Sequence, residues 1–157
     1  MRVWVDASVL IGLDLAGDVG VLKELLGRVS VTSEVEREVR TGRESQTLRS
    51  AFGDCVDIVR LKGDRRRWEA LGLGPGEASL FLTPRGDRLV LDDAPARTVA
   101  EAEGRDYVGL LGLLMAGVDR KALSPSRARI VLRRLVESGF RVSADLQEEV
   151  LRKIEEG

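Results

Sequence analysis

Short apolar runs with little polar interruption recur along the chain, at Arg2–Asp6, Val29–Thr32, Val56–Leu61, Arg88–Asp92 and Asp106–Val108. A strand with one face in water alternates apolar and polar residues, whereas a strand covered on both faces reads as a nearly continuous apolar run. Most of these runs are of the second kind, and segments of helical periodicity separate them. Such alternation implies right-handed crossovers and an α/β fold, a three-layer sandwich around a central parallel sheet.

The helical segments carry their own punctuation. Val19, Val21, Leu22, Leu25 and Leu26 form an apolar stripe that stops at Gly27. Ser33-Glu34-Val35-Glu36 has the Ser-x-x-Glu form of a capping box and predicts a helix through about Arg40. Further helices are expected over Gly76–Leu82, Pro95–Glu103 and Leu110–Ala116, and Thr41–Ser50 reads as a loop or frayed helix. Two amphipathic helices follow. Ser124 or Ser126 opens the first, with Ile130, Val131, Leu135 and Val136 inside and Gly139 at its end. Ser143 caps the second, with Leu146, Val150, Leu151 and Ile154 inside. The expected organisation is one domain over 1–157, with 124–157 a helical extension packed on it.

At 157 residues the chain can build a core without disulfides or structural metal. Aromatic residues are only 4%, so that core must come from Val, Leu, Ile and Ala. Cys55, the single cysteine, lies in the apolar run Cys55-Val56-Asp57-Ile58-Val59 and reads as a buried inert thiol. One cysteine and no charged-then-apolar leader predict a reducing cytoplasm. The stretch Val108–Val118 contains three glycines and is too short to span a bilayer.

There is no histidine. That removes Ser-His-Asp and Cys-His catalysis, His/Cys zinc sites and histidine acid–base chemistry. With 25 basic and 26 acidic residues there is no polycationic signature of nucleic-acid binding either. An enzyme that holds its substrate through metal ions needs none.

The informative carboxylates are those a solvated surface does not explain. Asp6 ends Val3-Trp4-Val5, and the carboxyl ends of parallel strands form a ligand crevice. Asp6 or Ser8 capping the next helix is the plainer reading. Asp92 and Asp93 end Leu89-Val90-Leu91, where adjacent like charges ask for a cation or a helix N-terminus, and one cap does not readily account for both. Glu77 follows Gly74-Pro75-Gly76, either as a site residue or as a helix first-turn acid. Glu34 is explained by the helix end and Glu36 by the capping box, but Glu38, beside Val39 at the border of the buried face, has neither explanation. The run Arg65-Arg66-Arg67 is either a phosphate contact or a solvated helix face. Arg97, one turn beyond the Asp pair, is positioned to pair with it.

Val3-Trp4-Val5-Asp6-Ala7-Ser8 with Leu10-Ile11, the segment Val31–Val39, Gly76-Glu77-Ala78-Ser79-Leu80 and Leu89–Arg97 together resemble the motifs of a PIN domain, specifically a prokaryotic subgroup related to the VapC toxins. The Gly109-Leu110-Leu111-Gly112 turn and the tail Glu137–Ser143 continue the likeness over nearly the whole chain. It implies an acidic pocket at the carboxyl edge of a parallel sheet, Mg²⁺ or Mn²⁺ as cofactor, and hydrolysis of RNA. By position, Asp6, Glu38, Glu77 and Asp93 match the catalytic acids, with Asp6, Glu77, Asp93 and neighbouring Asp92 as metal ligands and Ser8 supporting Asp6. Leu91 stands where many relatives have Thr, which removes one side-chain support. Hard divalent ions prefer oxygen ligands, in keeping with a chain that lacks histidine. Carboxylates gathered without a cation should show raised pKa values.

The resemblance further implies the toxin half of a VapBC-like toxin–antitoxin pair, a homodimer and an antitoxin partner. Leu and Val on Val19–Leu26 and Ser33–Arg40 exceed what a thin sheet edge needs, which also predicts a dimer unless the C-terminal helices cover them. The alternative is a weak or inactive PIN fold used as a protein- or RNA-binding module. A receiver domain fails on order, since its Asp pair follows the first strand, and a haloacid dehalogenase would need Asp-x-Asp where this chain has Asp6-Ala7-Ser8.

Overall fold

A computed structural model describes residues 1–42 and 45–156. Strands β1 (Val3–Val5), β2 (Val29–Thr32), β3 (Val56–Val59), β4 (Arg88–Val90) and β5 (Tyr107–Val108) form one sheet in the order β3-β2-β1-β4-β5. All neighbours are parallel. The strands end earlier than the apolar runs suggested: β3 stops at Val59 rather than Leu61, and β4 at Val90 rather than Asp92. Helices flank the sheet, as expected for a three-layer α/β sandwich. Among the described residues no helix is long and apolar enough to cross a membrane.

The order carries the functional consequence. From β1 the chain winds one way through β2 and β3, then returns to the other side of β1 with β4. The winding direction therefore reverses between β1 and β4, and a crevice opens outside their carboxyl ends. Val3, Trp4 and Val5 face Arg88, Leu89 and Val90, which sets Asp6 level with Leu91. Trp4 anchors β1 from below: it is 1% exposed and its Nε1–H donates to Asp87 Oδ2 at 2.9 Å.

Helix α1 (Ala7–Leu15) follows β1 directly. Only its start, capped by Asp6 or Ser8, was expected, because the helix is apolar around most of its circumference and shows no stripe. Helices α2 (Val21–Leu26) and α3 (Ser33–Thr41) flank β2 in sequence. The cap of α3 is Thr32, whose hydroxyl accepts from Val35 N–H at 3.1 Å, so the expected Ser33–Glu36 capping box does not form. Glu36 instead pairs with Arg40 at 2.8 Å, and Ser33 donates to Glu34. Helix α4 (Gln46–Asp54), capped by Ser45, takes up the second half of the segment expected as a loop or frayed helix; Arg43 and Glu44, which that expectation also covered, lie outside the described residues.

Helix α5 (Arg66–Glu69) carries the basic run, and its arginines are paired within the chain: Arg65 with Glu34 and Glu69, Arg66 with Asp64, and Arg67 with Glu103. Helix α6 (Pro75–Ser79) passes into a 3-10 turn at Leu80–Leu82, and α7 (Ala94–Ala102) and α8 (Leu110–Asp119) bracket β5. Cys55 is buried, and desolvation raises its thiol pKa, consistent with an inert packing residue.

Helix α9 (Pro125–Glu137) packs on α8 and α1, and α10 (Ala144–Glu156) packs on α8 and α9. Their inward residues are not all those expected. Ala128, Val131, Leu132, Leu135, Val150 and Ile154 are buried, Ile130, Val136 and Leu151 are half-buried, and Leu146 is 38% exposed. Buried Asp18, which accepts from Arg127 at 2.8 Å and Arg134 at 3.2 Å, ties α9 to the turn before α2. The Leu and Val of α2 and α3 that suggested a dimer are buried within the chain: Val21, Leu22 and Leu25 lie against α8 and β2, and Val35 and Val39 face α1 and α6. No surplus of apolar surface remains on those helices to argue for a second copy.

Candidate active site

Above the β1–β4 junction lies a cleft of about 730 Å³ lined by Asp6, Glu38, Glu77, Asp92 and Asp93 among others. Every acid singled out from the sequence therefore reaches one cleft, though by different routes. Asp6 extends from β1, Asp92 and Asp93 follow β4, Glu38 comes from α3 after β2, and Glu77 from α6 before β4.

Asp6 is 2% exposed, and its own surroundings hold both of its oxygens. Oδ1 accepts from Ala7 N–H at 2.7 Å, and Oδ2 accepts from the Ser8 hydroxyl at 3.1 Å. The capping reading is thus partly right, because Asp6 stands at the N-cap of α1. Capping does not account for the rest of its environment. Burial, with the Glu38 and Asp93 carboxylates nearby, pushes its pKa up to about 6 against the hydrogen bonds that oppose the rise.

The adjacent aspartates after β4 diverge. Asp92 turns to the N-terminus of α8, where Leu110 N–H donates to its oxygens at 3.2 and 3.3 Å, and Arg97 lies close enough to stabilise its charge. Asp93 holds the N-cap position of α7 but makes no side-chain capping bond. Its carboxyl faces Glu77 instead.

Glu77 Oε1 accepts from Gly74 N–H at 3.3 Å, while its buried Oε2 has no hydrogen-bond partner. Burial first, and Asp93 second, push the Glu77 pKa up to about 8. Asp6, Glu38, Glu77 and Asp93 thus sense one another electrostatically, whereas Asp92 is engaged by a helix end.

The match of the whole chain to a known family meets this geometry here: residues 2–156 fit the sequence pattern of DUF3368, described as a PIN domain. The chain belongs to the PIN-domain family. No curated protein and no solved structure matches it. PIN domains are generally metal-dependent nucleases, and the acidic cleft of this PIN domain is built from the residue types such chemistry needs.

The donor set suits a hard divalent cation: all oxygen, at the mouth of a parallel sheet, with one buried carboxylate oxygen lacking a partner. A cation held beside Glu77 and Asp93 would give that oxygen a partner. Among the described residues no three acidic or Cys side chains stand close enough together to hold an ion as they are placed.

Several supports were not read from the sequence. Ser79 Oγ donates to Gly76 O at 2.6 Å, so the Thr32 hydroxyl must donate to Ser79 across 2.7 Å. Because Thr32 also accepts from Val35 N–H, one buried chain of hydrogen bonds couples the start of α3, which bears Glu38, to α6, which bears Glu77. A hydroxyl residue at a strand's carboxyl end was the available signal. The glycine of Gly76-Glu77-Ala78 has its own reason: a Cβ there would strike Glu38 Oε2. Gly76→Ala should swing the exposed Glu38 side chain out of the cleft, lowering cleavage about 10-fold with a melting temperature within a few degrees of wild type. A large loss of stability, or wild-type activity, would refute this role for Gly76.

Proposed function

We propose that this PIN domain is an endoribonuclease that hydrolyses RNA phosphodiester bonds with Mg²⁺ or Mn²⁺. The observation that carries the reading is the set Asp6, Glu38, Glu77 and Asp93, drawn from separate elements into one cleft, in a chain whose only alternative acid–base groups are not histidines. Asp6, Glu77 and Asp93 would hold the cation, Asp92 would assist from beside Asp93, Glu38 would act at the cleft's outer wall, and Ser8 keeps Asp6 oriented. Bound there, the cation supplies Lewis acidity: it acidifies the attacking water and offsets charge on the scissile phosphate. Water adds to phosphorus and one P–O ester bond breaks, leaving a phosphate on one product and a hydroxyl on the other.

Purified protein is expected to cut single-stranded RNA in Mg²⁺ or Mn²⁺ and to stop on addition of EDTA. Cleavage that persists in EDTA sinks the metal-dependent mechanism. One feature favours a weak or inactive PIN fold serving as a binding module: Leu91 is fully buried in the core where many relatives carry Thr, so it lends the site no hydroxyl. Metal titration of wild type and pocket variants separates the two readings. The toxin role, an antitoxin partner and a homodimer join this proposal through the likeness to VapC toxins, and a cytoplasmic setting joins it through the single buried cysteine. A small adjacent gene for a DNA-binding protein is the observation that would support the toxin role.

A further inference from the structure

The cleft has a second half that metal chemistry does not use. Against its five carboxylates, Asp6, Glu38, Glu77, Asp92 and Asp93, the lining holds two cationic side chains, Arg97 and Arg141. Arg97 lies beside Asp92, near the spot a Cβ on Gly109 would occupy. Arg141 makes no hydrogen bond or ion pair with any described residue, unlike the arginines of the α5 run. Beside it the wall is apolar. Ile11, Leu15 and Leu146, at 37%, 67% and 38% exposed, are half of the large exposed hydrophobic residues of the described chain, and all three line this cleft with Phe140 and Met115.

This half is held in place by fit. Phe140 packs so closely on α1 that a Cβ at Gly12 would come within 2.8 Å of its ring. The glycine at position 12 therefore lets the α9–α10 turn dock on α1, which places Phe140 and Arg141 in the same cleft as the acids.

We propose that the turn Gly139-Phe140-Arg141 positions the substrate: Arg141 takes a phosphate flanking the scissile one, and an unpaired base lies on the apolar wall around Phe140. The inference rests on the ribonuclease reading and assigns where the strand is held beside the acids. A polyanion entering an acidic cleft needs a fixed cation near the cut, and Arg141 is uncommitted. An exposed apolar wall suits a base face, which only an unpaired strand presents.

The test measures kcat and KM for a single-stranded RNA, with the same cut sequence placed in a hairpin stem as comparison, in Mg²⁺ over a salt series. Arg141→Ala should raise KM about 10-fold and leave kcat within about twofold, and the slope of log KM against log salt should flatten by ~0.7 for one lost phosphate contact. Arg141→Lys should recover part of the loss. Gly12→Ala, which displaces Phe140 without touching RNA, should also raise KM, and the stem should resist cleavage. Unchanged KM and salt slope in Arg141→Ala, or equal cutting of stem and single strand, overturns this proposal while leaving the nuclease intact. A wild type that cuts no RNA in Mg²⁺ or Mn²⁺ overturns both.

Discussion

On the proposed mechanism, Asp6→Asn should lower RNA cleavage at least ~100-fold, because it would remove a metal-binding charge while keeping the side chain's size. The fold tolerates the change. Asp6 is 2% exposed and its carboxylate is disfavoured by burial and by neighbouring acids, so a neutral amide relieves that cost at pH 8 in metal-free protein. The expected pair of results is therefore a collapsed rate with an equal or higher melting temperature in EDTA. Asp93→Asn behaves alike, since its carboxyl shares the cleft with Glu77. Asp92→Asn is milder, within about 10-fold, because what it loses is a charge at the N-terminus of α8. Wild-type cleavage by Asp6→Asn would place the active site elsewhere or expose a contaminant. Equal losses from the two neighbouring aspartates would mean that they act jointly.

In the absence of divalent metal the protein loses stability as pH rises from about 4 to 8. Folded, Asp6 keeps its proton to about pH 6 and Glu77 to about pH 8, against ordinary values of 3.8 and 4.5. Across that window these two groups bind more protons in the folded state than in the unfolded chain, so the stability they contribute is fully present below their ordinary values and falls as each ionises. For buried Asp6 the rise corresponds to on the order of 3 kcal/mol, or ~5–10 °C in melting temperature. Glu77 adds a smaller loss at higher pH, because it is only half-buried and solvent screens it. Millimolar Mg²⁺ or Mn²⁺ at pH 8 should return most of the lost temperature in wild type and little in Asp6→Asn, since a cation replaces the protons only where the carboxylates can hold it. A melting temperature that is flat with pH in EDTA, or that Mg²⁺ and Mn²⁺ leave unmoved at pH 8, would refute the account of a cation-seeking cleft.

Much of this was legible in the chain itself. Uninterrupted apolar runs announced strands covered on both faces, and the absence of histidine removed histidine-based catalysis and His/Cys zinc sites. The motifs around Asp6, Gly76-Glu77-Ala78 and Asp92-Asp93 pointed to the PIN family, and residues 2–156 match it. Those signals are local, set by backbone periodicity and residue type, so they survive without coordinates. Where local rules compete, they misled. Ser33 and Thr32 are both good caps, and only the point where β2 releases the chain selects Thr32. Helix α1 offered only its cap to read, because apolar residues on most of its sides leave no stripe.

What tertiary structure alone decided is which charges meet. Asp92 and Asp93 are chemically identical neighbours, but the successive side chains diverge, and one carboxylate goes to the N-terminus of α8 while the other faces Glu77. Val35 and Val39 resembled an interface until α1 and α6 covered them. The free guanidinium of Arg141 joined the acids only because Phe140 finds a glycine on α1, more than a hundred residues earlier in the chain. Contacts of that kind depend on register and close packing between distant segments, which local periodicity does not encode.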